Sequence, residues 1–89
     1  MIERDLTVSN RLGLHARATA KLVQTLSHYK SACTLTAKGR EVNAKSIMGV
    51  MLLAAGQGTV VKLRIEGEDE QTAADAVQAL FERGFDEGS

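Results

Sequence analysis

His15 and Arg17 stand two residues apart in the run Gly13-Leu14-His15-Ala16-Arg17-Ala18-Thr19, where a loop gives way to helical periodicity. A histidine at a helix start is surrounded by backbone N–H groups without intrahelical acceptors, here those of Ala16, Arg17 and Ala18. Such a helix end disfavours a protonated imidazole and favours an arriving anion. A neutral imidazole is a nucleophile, and the Arg17 guanidinium has a fork suited to phosphate oxygens. These residues suit transfer of a phosphoryl group to His15, the group landing among the donors. The alternative is an exposed histidine tolerated at a helix start, and one His with one Arg leaves both readings open.

A second candidate region begins at Ser46, directly before the nearly continuous apolar run Ile47 to Ala55. A serine there serves as a helix N-cap, worth about 1 kcal/mol. At about 100° per residue, Ile47, Met48, Met51, Leu52 and Ala55 fall on one side of the helix, and Val50, Leu53 and Ala54 on the other. A short surface helix buries one side, so loops cover the other or it is a docking patch. Two methionines favour docking, because flexible thioethers adapt to more than one partner. The other candidates carry less. His28 lies near a helix end, and its distance from His15 does not suggest a metal pair, so no metal is expected. Cys33 alternates with Leu35 and is expected in the core, and Glu68, Asp69 and Glu70 read as solvated acids in the first turn of a helix. Gly56-Gln57-Gly58 lacks the lysine and spacing of a nucleotide loop.

The elements that must position these residues follow from periodicity. Residues 2 to 8 alternate, with Ile2, Leu6 and Val8 inward and Arg4 breaking the pattern once. Residues 9 to 14 form a loop with Gly13 as its special-φ position. A helix over about 16 to 28 carries a stripe of Ala16, Ala20, Val23 and Leu26, with Leu22 beside it. A strand at 33 to 37, a tight turn at Lys38-Gly39 and a return strand at 40 to 43 come next. The apolar helix, a strand over 59 to 66 with Val61, Leu63 and Ile65 inward, and a last helix with the stripe Ala73, Ala76, Val77, Leu80 and Phe81 complete the order β-α-β-β-α-β-α. The class is α+β, a four-stranded antiparallel sheet with three helices on one face.

Composition narrows the function. Eighty-nine residues leave room for one domain, 1–89, which excludes a multidomain enzyme. Eleven basic and eleven acidic residues give no sign of a nucleic-acid or membrane partner, and three aromatics without Trp do not make a stacking platform for bases. No apolar run approaches the roughly 20 residues of a membrane helix, and residues 1 to 5 do not read as a signal peptide. One cysteine suits a reducing compartment, so a cytoplasmic protein without membrane insertion is expected.

The run from Gly13 to Thr19 resembles the active-site sequence of the HPr family, the histidine-containing phosphocarriers of the bacterial phosphoenolpyruvate-dependent phosphotransferase system. Lys45-Ser46-Ile47-Met48-Gly49-Val50-Met51 is similar to that family's second signature, and the likeness extends through Gly67-Glu68-Asp69-Glu70 into the final helix. The resemblance implies an open-faced β-sandwich, in agreement with the order above. It also implies that His15 accepts a phosphoryl group, as pros-phosphohistidine, from phosphorylated enzyme I and passes it to enzyme IIA domains, with Arg17 stabilising the phosphate. No cofactor belongs to such a protein, which is a carrier rather than a self-contained enzyme. Positions matching Ile47, Met48 and Met51, with Leu52 beside them, would dock both partners, and the serine matching Ser46 is a kinase target in many Gram-positive and some other bacteria. The ending Ala79 to Asp86 is similar to carriers of the nitrogen-related branch, so either sugar uptake or that branch is implied. The family usually has proline where this chain has Ala18. The competing class is a regulatory protein-binding module that uses the Ile47, Met48 and Met51 face without transferring anything.

Overall fold

In the computed structural model, which describes residues 1–87, the alternating segments become four strands: β1 (Ile2–Thr7), β2 (Ala32–Ala37), β3 (Arg40–Asn43) and β4 (Val60–Glu66). They form one antiparallel sheet in the order β1-β4-β2-β3. Alternation places Leu6, Cys33, Leu35, Ala37, Val61, Leu63 and Ile65 on the buried face. On the other face, Arg64 pairs with Glu3 across one neighbouring strand at 3.1 Å and reaches Glu41 at 3.6 Å. The helices α1 (Ala16–Leu26), α2 (Ile47–Leu52) and α3 (Glu70–Glu82) contribute to the same core. Fully burying a Leu or Val side chain contributes about 1.5–3 kcal/mol, so this one buried face supplies the main driving force for folding.

Arg4, the interruption in the first strand, does face the helices. Its guanidinium is satisfied there by Asp75 at 2.9 Å and Gln78 at 2.8 Å on α3. The Lys38-Gly39 turn has positive φ at both residues, 54° and 77°, as a two-residue turn matched to strand twist requires. Gly13 has φ 70°, and a Cβ there would lie 2.5 Å from the Ala55 carbonyl oxygen, so the loop before His15 packs directly on the segment after α2.

Several helix expectations need correction. The buried stripe of α1 is Ala18, Thr19, Leu22 and Leu26, while Ala16 is exposed and Ala20 and Val23 are only half-buried. Thr19 was hidden from a hydropathy reading because its hydroxyl donates to the Leu14 carbonyl at 3.1 Å, which removes the penalty for burying it. The helix ends at Leu26, leaving His28 outside it and exposed. On α3, Ala74 is fully buried and Ala76 only half so.

The acids of residues 68 to 70 do not share a helical first turn either. α3 begins at Glu70, and Asp69 is its N-cap residue, without a side-chain cap bond. The Asp69 carboxylate instead accepts from the Ser31 hydroxyl at 2.5 Å and from the N–H groups of Lys30 at 2.8 Å and Ser31 at 3.0 Å. These bonds, the Ser31 hydroxyl first, hold it below the usual carboxylate range. A carboxyl with a lowered folded pKa contributes stability above its unfolded pKa and loses it as pH falls through the folded one. The destabilisation caused by Asp69→Asn will therefore be full at pH about 7 and will shrink below pH about 4, read as the gap between urea midpoints. A gap that stays constant into acid would show that the charge contributes nothing.

Candidate active site

His15 is the N-cap residue of α1, with an extended backbone at φ −78° and ψ −177°. Its carbonyl accepts the first helical bond, from the Thr19 N–H at 2.9 Å. The imidazole is 29% exposed, and its two nitrogens meet different surroundings. Nδ1 faces the helix end, where the Arg17 N–H donates to it at 3.4 Å, a long contact. Nε2 lies 2.5 Å from the Glu87 carboxylate. A carboxylate can only accept, so Nε2 carries the proton of the neutral ring and Nδ1 keeps its lone pair.

Of the three backbone donors, those of Ala16 and Arg17 belong to exposed residues, whereas Ala18 is fully buried. The Arg17 side chain is exposed and its guanidinium forms no ion pair among the described residues. His15, Ala16, Arg17, Leu12 and Glu87 line one open hollow. The arrangement places a ring nitrogen with a lone pair, an exposed guanidinium and the helix-end N–H groups of Ala16 and Arg17 around one solvent-accessible space, a setting suited to an anionic group. Among the described residues, no cluster of three or more His, Cys, Asp or Glu side chains is arranged to hold a metal ion.

α2 packs against α1. Ser46 caps α2, its hydroxyl accepting the Gly49 N–H at 3.0 Å. Val50 and Leu53 are buried, while Ile47, Met48, Met51 and Leu52 are exposed, Met48 to 78%. The helix stops at Leu52, sooner than the apolar run suggests, so the last two assignments by angle are reversed. Ala55 is buried, and Ala54 is exposed with φ 48°. Once the chain turns out of the helix, helical phase no longer decides which side a residue faces. Leu12, 68% exposed, adds an apolar group at the rim of the histidine hollow.

A family model described as the PTS HPr component phosphorylation site matches residues 2–83. The chain belongs to the HPr family. It is 69% identical over 87 residues to a phosphocarrier protein HPr of Xylella fastidiosa, covering 98% of each chain. A phosphocarrier protein HPr of Cupriavidus necator is 53% identical over 88 residues, with 99% of each covered. Among solved structures, an HPr from Thermoanaerobacter tengcongensis superposes with a TM-score of 0.96 at 45% identity over the whole of both chains. The four-stranded sheet with three helices is thus the HPr fold, and the function is that of an HPr phosphocarrier of the phosphotransferase system. No helix among the described residues is long and apolar enough to cross a membrane.

Two residues around His15 escaped sequence reasoning. Asn10 is 1% exposed, and its amide donates to the Gly13 carbonyl at 2.8 Å and to the Glu87 carboxylate at 2.9 Å. An asparagine three residues before a glycine in a loop is a signal for a local turn, which could have marked it. Glu87 had no such signal. It reaches His15 only because the chain folds back after α3: Gly84, Phe85 and Asp86 have φ of 61°, 57° and 61°. Left-handed backbone at Phe85 costs about 1–2 kcal/mol, and complete burial of its ring, 4.9 Å from that of Phe81, offsets it. Lys21 adds a bond from Nζ to the Phe85 carbonyl at 2.8 Å. The Asn10 amide first, and then His15, hold the Glu87 carboxyl below the usual carboxylate range. Cys33, by contrast, is a core residue whose thiol is pushed up by burial and plays no part here.

Proposed function

We propose that His15 is the residue that carries the phosphoryl group, accepting it on Nδ1 from phosphorylated enzyme I and passing it to a histidine of an enzyme IIA domain. The observation that carries this reading is the orientation of the ring, with Nε2 occupied by Glu87 and Nδ1 turned toward the N-terminus of α1 beside Arg17. The Nδ1 lone pair forms the bond to phosphorus while the bond from phosphorus to the donor breaks, and that electron pair stays with the donor. The phosphoryl oxygens then meet the N–H groups of Ala16 and Arg17 and the Arg17 guanidinium. Onward transfer breaks the Nδ1–phosphorus bond, whose electron pair stays on the His15 ring, as a ring nitrogen of the enzyme IIA histidine bonds to phosphorus.

The exposed α2 side chains Ile47, Met48, Met51 and Leu52 serve as the docking face for both partners. Phosphorylation of Ser46 by a serine kinase would place about −1.5 to −2 charges at the edge of this apolar face and weaken docking. A cytoplasmic setting, in sugar uptake or in the nitrogen-related branch, suits such a carrier. A module that only binds proteins would need the α2 face but neither an oriented nucleophile nor an open cation, which favours transfer.

The test is incubation with phosphoenolpyruvate and a matching enzyme I, followed by phosphorus–nitrogen coupling in the NMR spectrum of ring-labelled protein. One phosphoryl group on His15 Nδ1 is expected; a group on Nε2 or on a serine would overturn the assignment. The buried position of Ala18 has its own consequence. Its N–H is covered, so Ala18→Pro should leave the equilibrium of phosphoryl exchange with the parent within about twofold of one, since no hydrogen bond to the phosphate is lost. An equilibrium favouring the parent by about tenfold, worth roughly 1.4 kcal/mol, would show that the Ala18 donor reaches the phosphate after all.

A further inference from the structure

We propose that Glu87 is a positioning residue for phosphoryl transfer, which holds the His15 ring with its proton on Nε2 and compensates the positive charge the ring acquires when Nδ1 is phosphorylated. The inference deepens the assignment of His15 as acceptor and rests on it. Glu87 is no loose tail residue. Its side chain is 10% exposed, Oε2 lies 2.5 Å from Nε2, and Oε1 accepts from the buried Asn10 amide at 2.9 Å. Asn10 is in turn fixed to the Gly13 carbonyl, in the loop that leads into His15. The segment carrying Glu87 is anchored by buried Phe85 and by Lys21, which donates to the Phe85 carbonyl and reaches Asp86 at 3.7 Å. Loop, first helix and C-terminal turn thus converge on one ring nitrogen.

The charge balance explains why a carboxylate belongs there. The form of the ring that can attack has its proton on Nε2 and its lone pair on Nδ1. When Nδ1 bonds to phosphorus and the donor bond breaks, the Nε2 proton has nowhere it must go, so the ring becomes cationic beside the Glu87 carboxylate. When the phosphoryl group leaves for the next acceptor, the Nδ1–phosphorus pair returns to the ring and neutrality is restored, with the proton still on Nε2. A carboxylate that fixes the tautomer and pairs with the imidazolium, without itself taking the proton, is the arrangement that orients histidines in hydrolase triads. In this chain the two sides of the ring are divided between an anion at Nε2 and the end of α1, through the Arg17 backbone N–H, at Nδ1. Arg17 and Glu87 line the same hollow.

Two variants of the full chain test the inference, Glu87→Ala and Glu87→Gln, the second nearly isosteric and able to accept from Nε2–H without charge. Each is assayed for the rate of phosphoryl acceptance from enzyme I, and the His15 ring nitrogens are observed by NMR in the unphosphorylated protein. Glu87→Ala should lower kcat about tenfold with KM unchanged, a smaller loss than in a buried triad because His15 is partly exposed. Its Nδ1 and Nε2 resonances should move toward each other as the two tautomers mix. Glu87→Gln should restore the separated resonances yet recover only part of the rate. Rates equal to the parent's in both variants would overturn the proposal, as would slow transfer in Glu87→Ala with unaltered ring resonances. Labelling that persists in His15→Ala would instead remove the acceptor assignment on which the proposal stands, so the two failures are told apart.

Discussion

A His15→Ala variant incubated with phosphoenolpyruvate and a matching enzyme I will acquire no acid-labile phosphoryl group, while the parent acquires one. The expected loss is complete because no second nucleophile among the described residues stands in the same setting. His28 is exposed outside the helix end, Cys33 is buried with its thiol pushed up by burial, and Ser46 spends its hydroxyl on the Gly49 N–H. The variant should remain folded. His15 is partly exposed, and the α1 face that enters the core consists of Ala18, Thr19, Leu22 and Leu26. Alanine is a poor N-cap, so a stability loss of about 1 kcal/mol is expected. Full labelling of the folded variant, or a phosphoryl group that survives acid, would place the chemistry elsewhere.

The second large effect separates the two sides of α2. Val50→Glu puts a carboxylate at a position with no exposure. Burying an unpaired charge costs several kcal/mol, comparable with the 5–10 kcal/mol that hold a small domain together, so this variant should be largely unfolded. Met48→Glu, two residues earlier, changes a side chain that is 78% exposed. Its stability should stay within about 0.5 kcal/mol of the parent, while its affinity for enzyme I falls by about 2 kcal/mol, or roughly thirtyfold. Circular dichroism on both variants and titration calorimetry with enzyme I on Met48→Glu read the contrast. An unfolded Met48→Glu beside a folded Val50→Glu would mean that the faces of α2 are exchanged, and unaltered affinity would remove Met48 from the docking surface.

How far such outcomes could be read before folding differs from residue to residue. Strands β1, β2 and β4 were legible because each buries one face, and alternation over six or seven residues admits one orientation only. Gly13 and Lys38-Gly39 were legible as turns because local backbone geometry selects residue type. His15 and Arg17 could be read as a pair because the helix end that orients them begins at the very next residue. The faces of α2 were readable as far as Leu52 and misread at Ala54 and Ala55, where the helix had stopped.

Periodicity and local turn chemistry depend on neighbours in the chain, and they determined the strands, the three helices and the place of His15 at a helix start. What only the tertiary structure decided are contacts between residues far apart in sequence, where no period operates. Asp69 binds Lys30 and Ser31 although it reads as one more acid at a helix start. Thr19 takes a core position because a carbonyl from the preceding loop satisfies it. Glu87 meets His15 across 72 residues because buried Phe85 holds three successive left-handed residues in place, a conformation that nothing in a Gly-Phe-Asp sequence demands by itself. The choice of nitrogen on His15 follows from that last contact. A histidine has two distinct ring nitrogens in any sequence, and only packing brings a carboxylate to Nε2 and leaves Nδ1 turned to the helix end.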